Sequence, residues 1–294
     1  MIYGNYMVNT LLGQGYCSNV YLATCVKSNI DFAIKIWKKH YFSSYIECEL
    51  LELLKETDPT HPGYNHIVHL HDSMMDPSQE DSLCLIFPVY EGTLLDLLTI
   101  YPGGIPEDMI RELTIQICKG LSYIHKCGII HADIKLENIL YKRDGDSYHY
   151  SICDFGNAMY EKKTLKMIIQ TRQYRCIESI LQTFIYTTLS DMTSVGCVIA
   201  EMATGVYLIN VDNKGDNCID DEQVYALTRM IGAEGFKGME IDETLQPYTK
   251  DLPPCSIPTL FGDNWVDLII KLIHPIPKYR ISAHDALEHP WLQK

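Results

Sequence analysis

Residues 131–138 read HADIKLEN and bring a carboxylate, a cation and an amide, Asp133, Lys135 and Asn138, within six residues. Asp133 can accept a hydroxyl proton while Lys135 neutralises charge on a transferring phosphoryl group. Asp154, in CDFG, follows sixteen residues after Asn138, beyond two short β-rich runs, NILY and SYHYSIC. Two oxygen donors of different charge, Asn138 and Asp154, suit Mg2+, which takes a few protein oxygens and fills its shell with phosphate and water. Each residue alone could be an ordinary cap or turn residue. Their order and spacing, taken with what lies upstream, make the set specific.

Upstream, LLGQGYCSNVYLA holds Gly13 and Gly15 in a turn between two strand-like runs. Such a turn lets backbone amides approach phosphate oxygens, although any glycine-rich hairpin has the same look. Ser18 occupies the third position of a G-x-G-x-x-G pattern and no helix follows, which argues against a dinucleotide fold. Lys35 interrupts the apolar run FAIKIW. Either it lies on a solvated strand face, or it is buried and meets anions. Glu47 on the next helical segment is the candidate partner, with Glu49 and Glu52 as competitors.

The elements that must position these groups fall into two kinds. Short β-rich runs fill the first 90 residues (YMVNTLL, NVYLATCV, DFAIKIW, IVHLHDS, LCLIFPV), with one helix over YIECELLELLKE and Ile46, Leu50, Leu53 and Leu54 at helical spacing. From about residue 93 the period becomes helical. Ile110, Leu113, Ile117, Leu121 and Ile124 form one stripe that starts after Pro106 and stops at Gly128. The segment near FPVYEGT is short enough for a hinge, giving 1–88 as a β-rich lobe, 89–92 as the hinge and 93–294 as a mainly α lobe.

Bulk properties narrow the partners. The 294 residues are 47% hydrophobic with a formal net charge of −14, which disfavours direct nucleic-acid binding and suits a basic partner. The 11 cysteines show no C-x-x-C pair, so no disulfide framework or cysteine-rich metal site is expected and a reducing compartment fits. The N-terminus lacks a leader pattern, and no apolar segment is long enough for a membrane. The expectation is a soluble cytoplasmic monomer. No basic cluster speaks to nuclear entry, which stays open.

With these residues in view the chain resembles a eukaryotic protein kinase from Tyr6 to about Trp291. The resemblance implies an α+β, bilobal fold, ATP and Mg2+ as cofactors, and protein substrates. By it Leu12, Gly13, Gln14, Gly15 and Val20 cover ATP. Ala33, Phe87 and Val89 line the adenine side, with Phe87 as gatekeeper, and Lys35 pairs with Glu47. Asp133 is the catalytic base, Asn138 and Asp154 are the Mg2+ ligands, Glu178 pairs with Arg280, and Asp191 braces the catalytic loop.

Departures from the common pattern point further. Ala132 stands where most kinases carry an arginine that reads a phosphorylated segment. With Ser18, GNA at 156–158, IQTRQYR at 169–175, ATGVYL at 203–208 and DDEQ at 220–223, this is similar to the SR-protein kinase family. That resemblance implies basic Arg/Ser-rich substrates. It gives Thr171 the role of steadying Asp133 and Lys135, and Arg175 that of shaping the phosphoacceptor pocket. Between Asp154 and Glu178 the hydroxyls are mainly Tyr160, Thr164, Thr171 and Tyr174, which suits a segment active without phosphorylation. Pro88 in place of the usual hinge glutamate, DFG where that family often has D-L-G, a short stretch after Gly232, and Arg229 in place of a docking acid depart from it. The alternatives are a dual-specificity tyrosine-regulated or Clk-like kinase, and a pseudokinase scaffold.

Overall fold

The computed structural model describes residues 2–38, 43–76, 83–161, 166–210 and 220–293. Thr164, one of the hydroxyls considered above, lies outside them. The chain runs through β1 (Ile2–Tyr3), β2 (Tyr6–Gln14), β3 (Ser18–Cys25), β4 (Asp31–Trp37), α1 (Ser43–Thr57), β5 (Asp72–Met75), β6 (Leu83–Pro88), β7 (Gly92–Thr93), α2 (Leu94–Ile100) and α3 (Glu107–Lys126). It continues through β8 (Ile129–Ile130), β9 (Ile139–Asp144), β10 (Ser147–Ile152), β11 (Met159–Tyr160), α4 (Ile177–Ile180), α5 (Leu189–Thr204), α6 (Asp221–Ile231), α7 (Asp263–Ile273) and α8 (Ala283–Ala286).

Strands β1 to β6 form one antiparallel sheet in the order β1-β2-β3-β4-β6-β5. The expected strand at IVHLHDS begins only at Asp72. Before it, Val68 donates its N–H to the Ile152 carbonyl and Ile67 bridges Ile152, so this stretch ties the sheet to β10 instead of extending it.

One sheet face closes over Tyr3, Tyr6, Ala23, Phe32, Ile34, Cys84 and Ile86. Leu85 on the other face joins a larger core with Leu50, Leu51 and Leu54 of α1, Phe155 and the buried stripe of α3. Each such fully buried side chain contributes roughly 1.5–3 kcal/mol. The α3 stripe is as the periodicity predicts, with Ile110, Leu113, Ile117, Leu121 and Ile124 all buried. Its first turn carries Glu107 and Asp108 and its last carries His125 and Lys126, each sign matching the helix dipole. The stripe expected on α1 is rotated, because Ile46 and Leu53 are exposed while Glu47, Leu50, Leu51 and Leu54 face inward. The helix turns Glu47 inward, where Lys35 takes both of its oxygens.

Candidate active site

The catalytic loop is held from below. Asp191, fully buried in the first turn of α5, accepts the backbone N–H of His131 at 2.8 Å and of Ala132 at 2.9 Å. His125 reaches the same carboxylate at 2.9 Å. Ala132 has φ +62°, a strained value for a residue with a Cβ, and Asp191 offsets that strain. His131 Nε2 lies 3.0 Å from the Cys153 carbonyl, so that nitrogen carries the proton, and Nδ1 accepts the Asp133 N–H at 3.3 Å.

Asp133 is 6% exposed. Its Oδ1 accepts from the Thr171 hydroxyl at 2.7 Å, and its Oδ2 accepts from Lys135 at 2.9 Å, Asn138 at 3.2 Å and Asn157 at 3.3 Å. Lys135 also lies 3.2 Å from the Thr171 hydroxyl. Burial would lower the Lys135 ammonium, but Asp133 and then Glu137 hold it above its ordinary value. Asn138 donates to the Asp133 carbonyl at 2.8 Å, and its own carbonyl takes the Cys153 N–H at 2.9 Å. That bond, with Ile139 opposite Ile152 in the β9–β10 ladder, sets Asn138 beside Asp154.

Opposite, Lys35 is buried and bonds both Glu47 oxygens, at 2.8 and 2.7 Å, and Asp154 Oδ1 at 2.7 Å. It also lies 4.6 Å from the Trp37 ring centre. The question left open by the sequence is settled in favour of burial, with Glu47 as partner; Glu49 and Glu52 are exposed. Burial works against the Lys35 charge, yet Glu47 and Asp154 raise its pKa above the ordinary lysine value. Two carboxylates share one ammonium, and burial pushes Glu47 upward. Burial would also raise Asp154, but Lys35 outweighs it and holds that carboxyl at about 2. Phe155, fully buried, donates its N–H to Glu47 Oε1 at 3.1 Å and packs edge-on to His131 at 5.0 Å. The two lobes therefore meet through Glu47, Asp154 and Phe155.

The arrangement fits a magnesium-bound nucleotide. Among the described residues no hydrogen bond engages Asn138 Oδ1 or Asp154 Oδ2, and the Asp154 side chain is 38% exposed. No group of three or more His, Cys, Asp or Glu is placed to hold a metal among those residues, so this pair offers part of a shell that phosphate and water complete. Gly156 is required by space: a Cβ there would fall 2.9 Å from the Trp37 ring and 3.1 Å from Asp154 Oδ1.

The roof is looser. Gly13 pairs with Val20 and Gln14 with Asn19 across the β2–β3 hairpin, and Gly15 donates its N–H to the Ser18 carbonyl at 2.8 Å. A Cβ on Gly13 would meet nothing within 4 Å, so no neighbour in the protein calls for glycine there. Leu12 is half exposed and Gln14 exposed. Ala33 pairs with Phe87, and Val20 with Lys35, while Val89 follows the end of β6.

Beside the floor, the 169–176 stretch is stitched to α5. Gln170, at φ +69°, gives its side-chain amide to Ser190 O at 2.8 Å and Ser194 Oγ at 3.0 Å, and accepts the Cys176 N–H at 2.9 Å. Arg175 turns inward and donates to the Gln170 carbonyl at 3.2 and 3.0 Å. Tyr174 is buried and donates its hydroxyl to Glu201 at 2.7 Å. Arg172 pairs with Asp220, which caps α6. Glu178 and Arg280 form a buried two-pronged pair at 2.9 and 2.8 Å.

Sequence reasoning gave no role to Asn157, Lys38 or Gln170. Asn157 reaches Asp133, and Lys38 donates to the Gly15 carbonyl at 2.6 Å. A polar residue three places after Asp154 is a faint signal for the first; a cation at a strand end carries none.

Comparison with known proteins agrees with this geometry. The protein kinase domain family model matches residues 6–292. A dual specificity protein kinase YAK1 homolog of Arabidopsis thaliana is 35% identical over 208 residues, 69% of this chain and 21% of the relative. Cyclin-dependent kinase F-3 of Oryza sativa subsp. japonica is 30% identical over 296 residues, 97% of this chain and 64% of the relative. MAPK/MAK/MRK overlapping kinase of Mus musculus is 30% identical over 300 residues, 98% and 68%. The chain thus spans about a fifth of the first relative and about two thirds of the other two. A crystallised kinase domain superposes with TM-score 0.77 at 25% identity, covering 99% of this chain and 96% of the other. The chain belongs to the protein kinase family, with relatives among the mitogen-activated, cyclin-dependent and YAK1 kinases.

Proposed function

We propose that the chain is an active serine/threonine kinase that moves the γ-phosphoryl of ATP to a protein hydroxyl. The observation that carries this is the single bonded assembly of Asp133, Lys135, Thr171 and Asn138 facing Lys35, Glu47 and Asp154. Asp133 orients the incoming hydroxyl and takes its proton as the new O–P bond forms and the bond to the leaving ADP oxygen breaks. Lys135 counters charge on the transferring group, and Lys35 steadies the phosphates. Mg2+, when bound by Asn138 and Asp154, neutralises charge on the phosphate oxygens. Positioning and fixed charge supply most of the rate. Single-turnover transfer from labelled ATP tests the reading against the pseudokinase alternative: no transfer above the Asp133→Ala background would end it.

The same proposal extends to Arg/Ser-rich substrates, as in the SR-protein kinases. Support comes from a pair of acids beside the catalytic loop. Glu137 is exposed, and Glu201 is buried, its carboxyl raised by burial and further by the Glu137 charge, against the Tyr174 hydrogen bond. A substrate guanidinium would relieve that repulsion with a bidentate contact. A second reading rests on Gln170, whose carbonyl is already taken by Arg175. A peptide residue passing there finds no acceptor for its N–H, which favours proline, a residue without one. Rates on an alternating Arg-Ser peptide and a Ser-Pro peptide separate the two, and faster turnover of Ser-Pro would overturn the first.

The segment is proposed to work without phosphorylation, since Thr171 and Tyr174 spend their hydroxyls on Asp133 and Glu201. The buried Tyr174 hydroxyl also speaks against the tyrosine-regulated alternative at that residue. Phosphatase treatment that abolished activity would refute this. Every cysteine among the described residues is a free thiol, which supports a reducing compartment and the proposed cytoplasmic setting.

A further inference from the structure

Behind the catalytic loop, away from the nucleotide cleft, lies a cavity of about 350 Å³ lined by His61, Ser122, His125, Lys126, Thr188 and His284 among others. Three histidines and a lysine line this one space.

The donors are identifiable. His61 Nδ1 accepts the Gly63 N–H at 3.0 Å, so in the neutral ring the proton sits on Nε2. Among the described residues no acceptor meets that nitrogen. His125 uses Nε2 on Asp191, and no described residue engages its Nδ1. Burial and then the Lys126 charge hold His61 below its ordinary value, with His284 adding to the effect and Asp58 opposing it.

The carboxylates nearby are each committed. Asp58 bonds Lys126 at 3.0 Å and Thr60 at 2.7 Å, and Asp191 holds His125 and the loop amides. Asp285 accepts from Ser282 at 2.7 Å, and Glu161 accepts the Thr188 N–H at 3.0 Å. What remains facing the space is the His61 Nε2–H, the Ser122 hydroxyl, His284 and the Lys126 ammonium that Asp58 shares, since the Thr188 hydroxyl donates to Glu161 at 3.4 Å and His125 Nδ1 becomes a donor only on protonation.

We propose that this cavity binds a small oxyanion of the phosphate class and that its histidines take up a proton when it does. Phosphate offers acceptors on all sides, which match Nε2–H of His61, the Ser122 hydroxyl, His284 and Lys126. The ligand is either a free ion or a phosphorylated side chain. An occupant would lie beside His125, which shares Asp191 with the His131 and Ala132 amides.

Sulfate is the probe, because it does not titrate near neutral pH and any pH dependence then belongs to the protein. Histidine ring signals of the full chain are followed by NMR with sodium sulfate against sodium chloride at equal ionic strength. The His61 and His284 signals should move saturably, with their pKa rising by about one unit. Affinity should strengthen by up to about tenfold in total between about pH 8 and 6 for each proton taken up, the limit that a one-unit pKa rise sets.

A Lys126→Met, His284→Gln double variant should lose at least about tenfold in affinity with an unchanged melting temperature. If that variant fails to fold, His61→Gln alone serves the same comparison. Inorganic phosphate and a phosphoserine peptide then follow as separate titrations, and whichever binds names the source. Shifts no larger with sulfate than with chloride, or equal in the variants, would overturn the proposal.

Discussion

The floor and the roof of the cleft are built on opposite plans. On the floor, Asp133 receives four side-chain donors, and Lys35 is enclosed by two carboxylates and an indole. On the roof, Leu12 and Gln14 are exposed and Gly13 touches nothing a side chain would disturb. The floor spends the protein's own bonds to fix charge before any ligand arrives, and so incurs no reorganisation when it acts. The roof leaves room and is completed by what it covers.

If that contrast holds, the largest effect comes from the floor. Asp133→Asn should lower kcat by about 10²–10⁴-fold with a melting temperature near wild type, measured by single-turnover transfer and calorimetry. A loss of folding with the loss of rate would show that the bonds around Asp133 hold the lobe together and do not only aim it.

Next in size is the Glu178–Arg280 pair beneath the 169–176 stretch. Arg280→Met leaves a buried carboxylate unmatched and should cost about 3–5 kcal/mol in urea unfolding. A change under about 1 kcal/mol would mean that water replaces the partner.

Acid sensitivity gives a third contrast. Asp154 sits at about 2 in the folded chain against an ordinary 3.8. Its pKa is depressed on folding, so its stabilisation is present above pH 3.8 and is lost as pH falls toward about 2. Asp154→Asn should flatten the acid limb of the melting temperature in that window, and an unchanged limb would refute the assignment.

The smallest effect belongs to the roof. Gly13→Ala should leave the melting temperature alone and raise the KM for ATP by about three- to tenfold, equivalent to about 1 kcal/mol of binding. Equal weakening of stability would erase the distinction between the two halves.

How much of this was legible beforehand follows the same division. Asp133, Lys135, Asn138 and Asp154 stood out because their types and order suit a metal, a phosphate and a proton acceptor, and the structure bonds the first three together and sets Asp154 on Lys35. The α3 stripe was readable because packing a helix on a core imposes its period. Ile46 and Leu53 were misread because the inward face of α1 is carried by Cys48, Leu50, Leu51 and Leu54 with Glu47 among them, and a count of apolar spacing alone does not place a carboxylate on the buried side. Gln170 and Asn157 were given no role because amides have no periodicity and declare their partners only once the chain is folded. Lys38 acts on a backbone carbonyl, which every residue possesses.

Gln170, Tyr174 and Ser194 clasp the 169–176 stretch to α5 by bonds that form with the fold itself. A clasp made that way ties the placing of this stretch to the packing of the lobe beneath it, so a substitution that loosens α5 should be felt at Asp133 through Thr171.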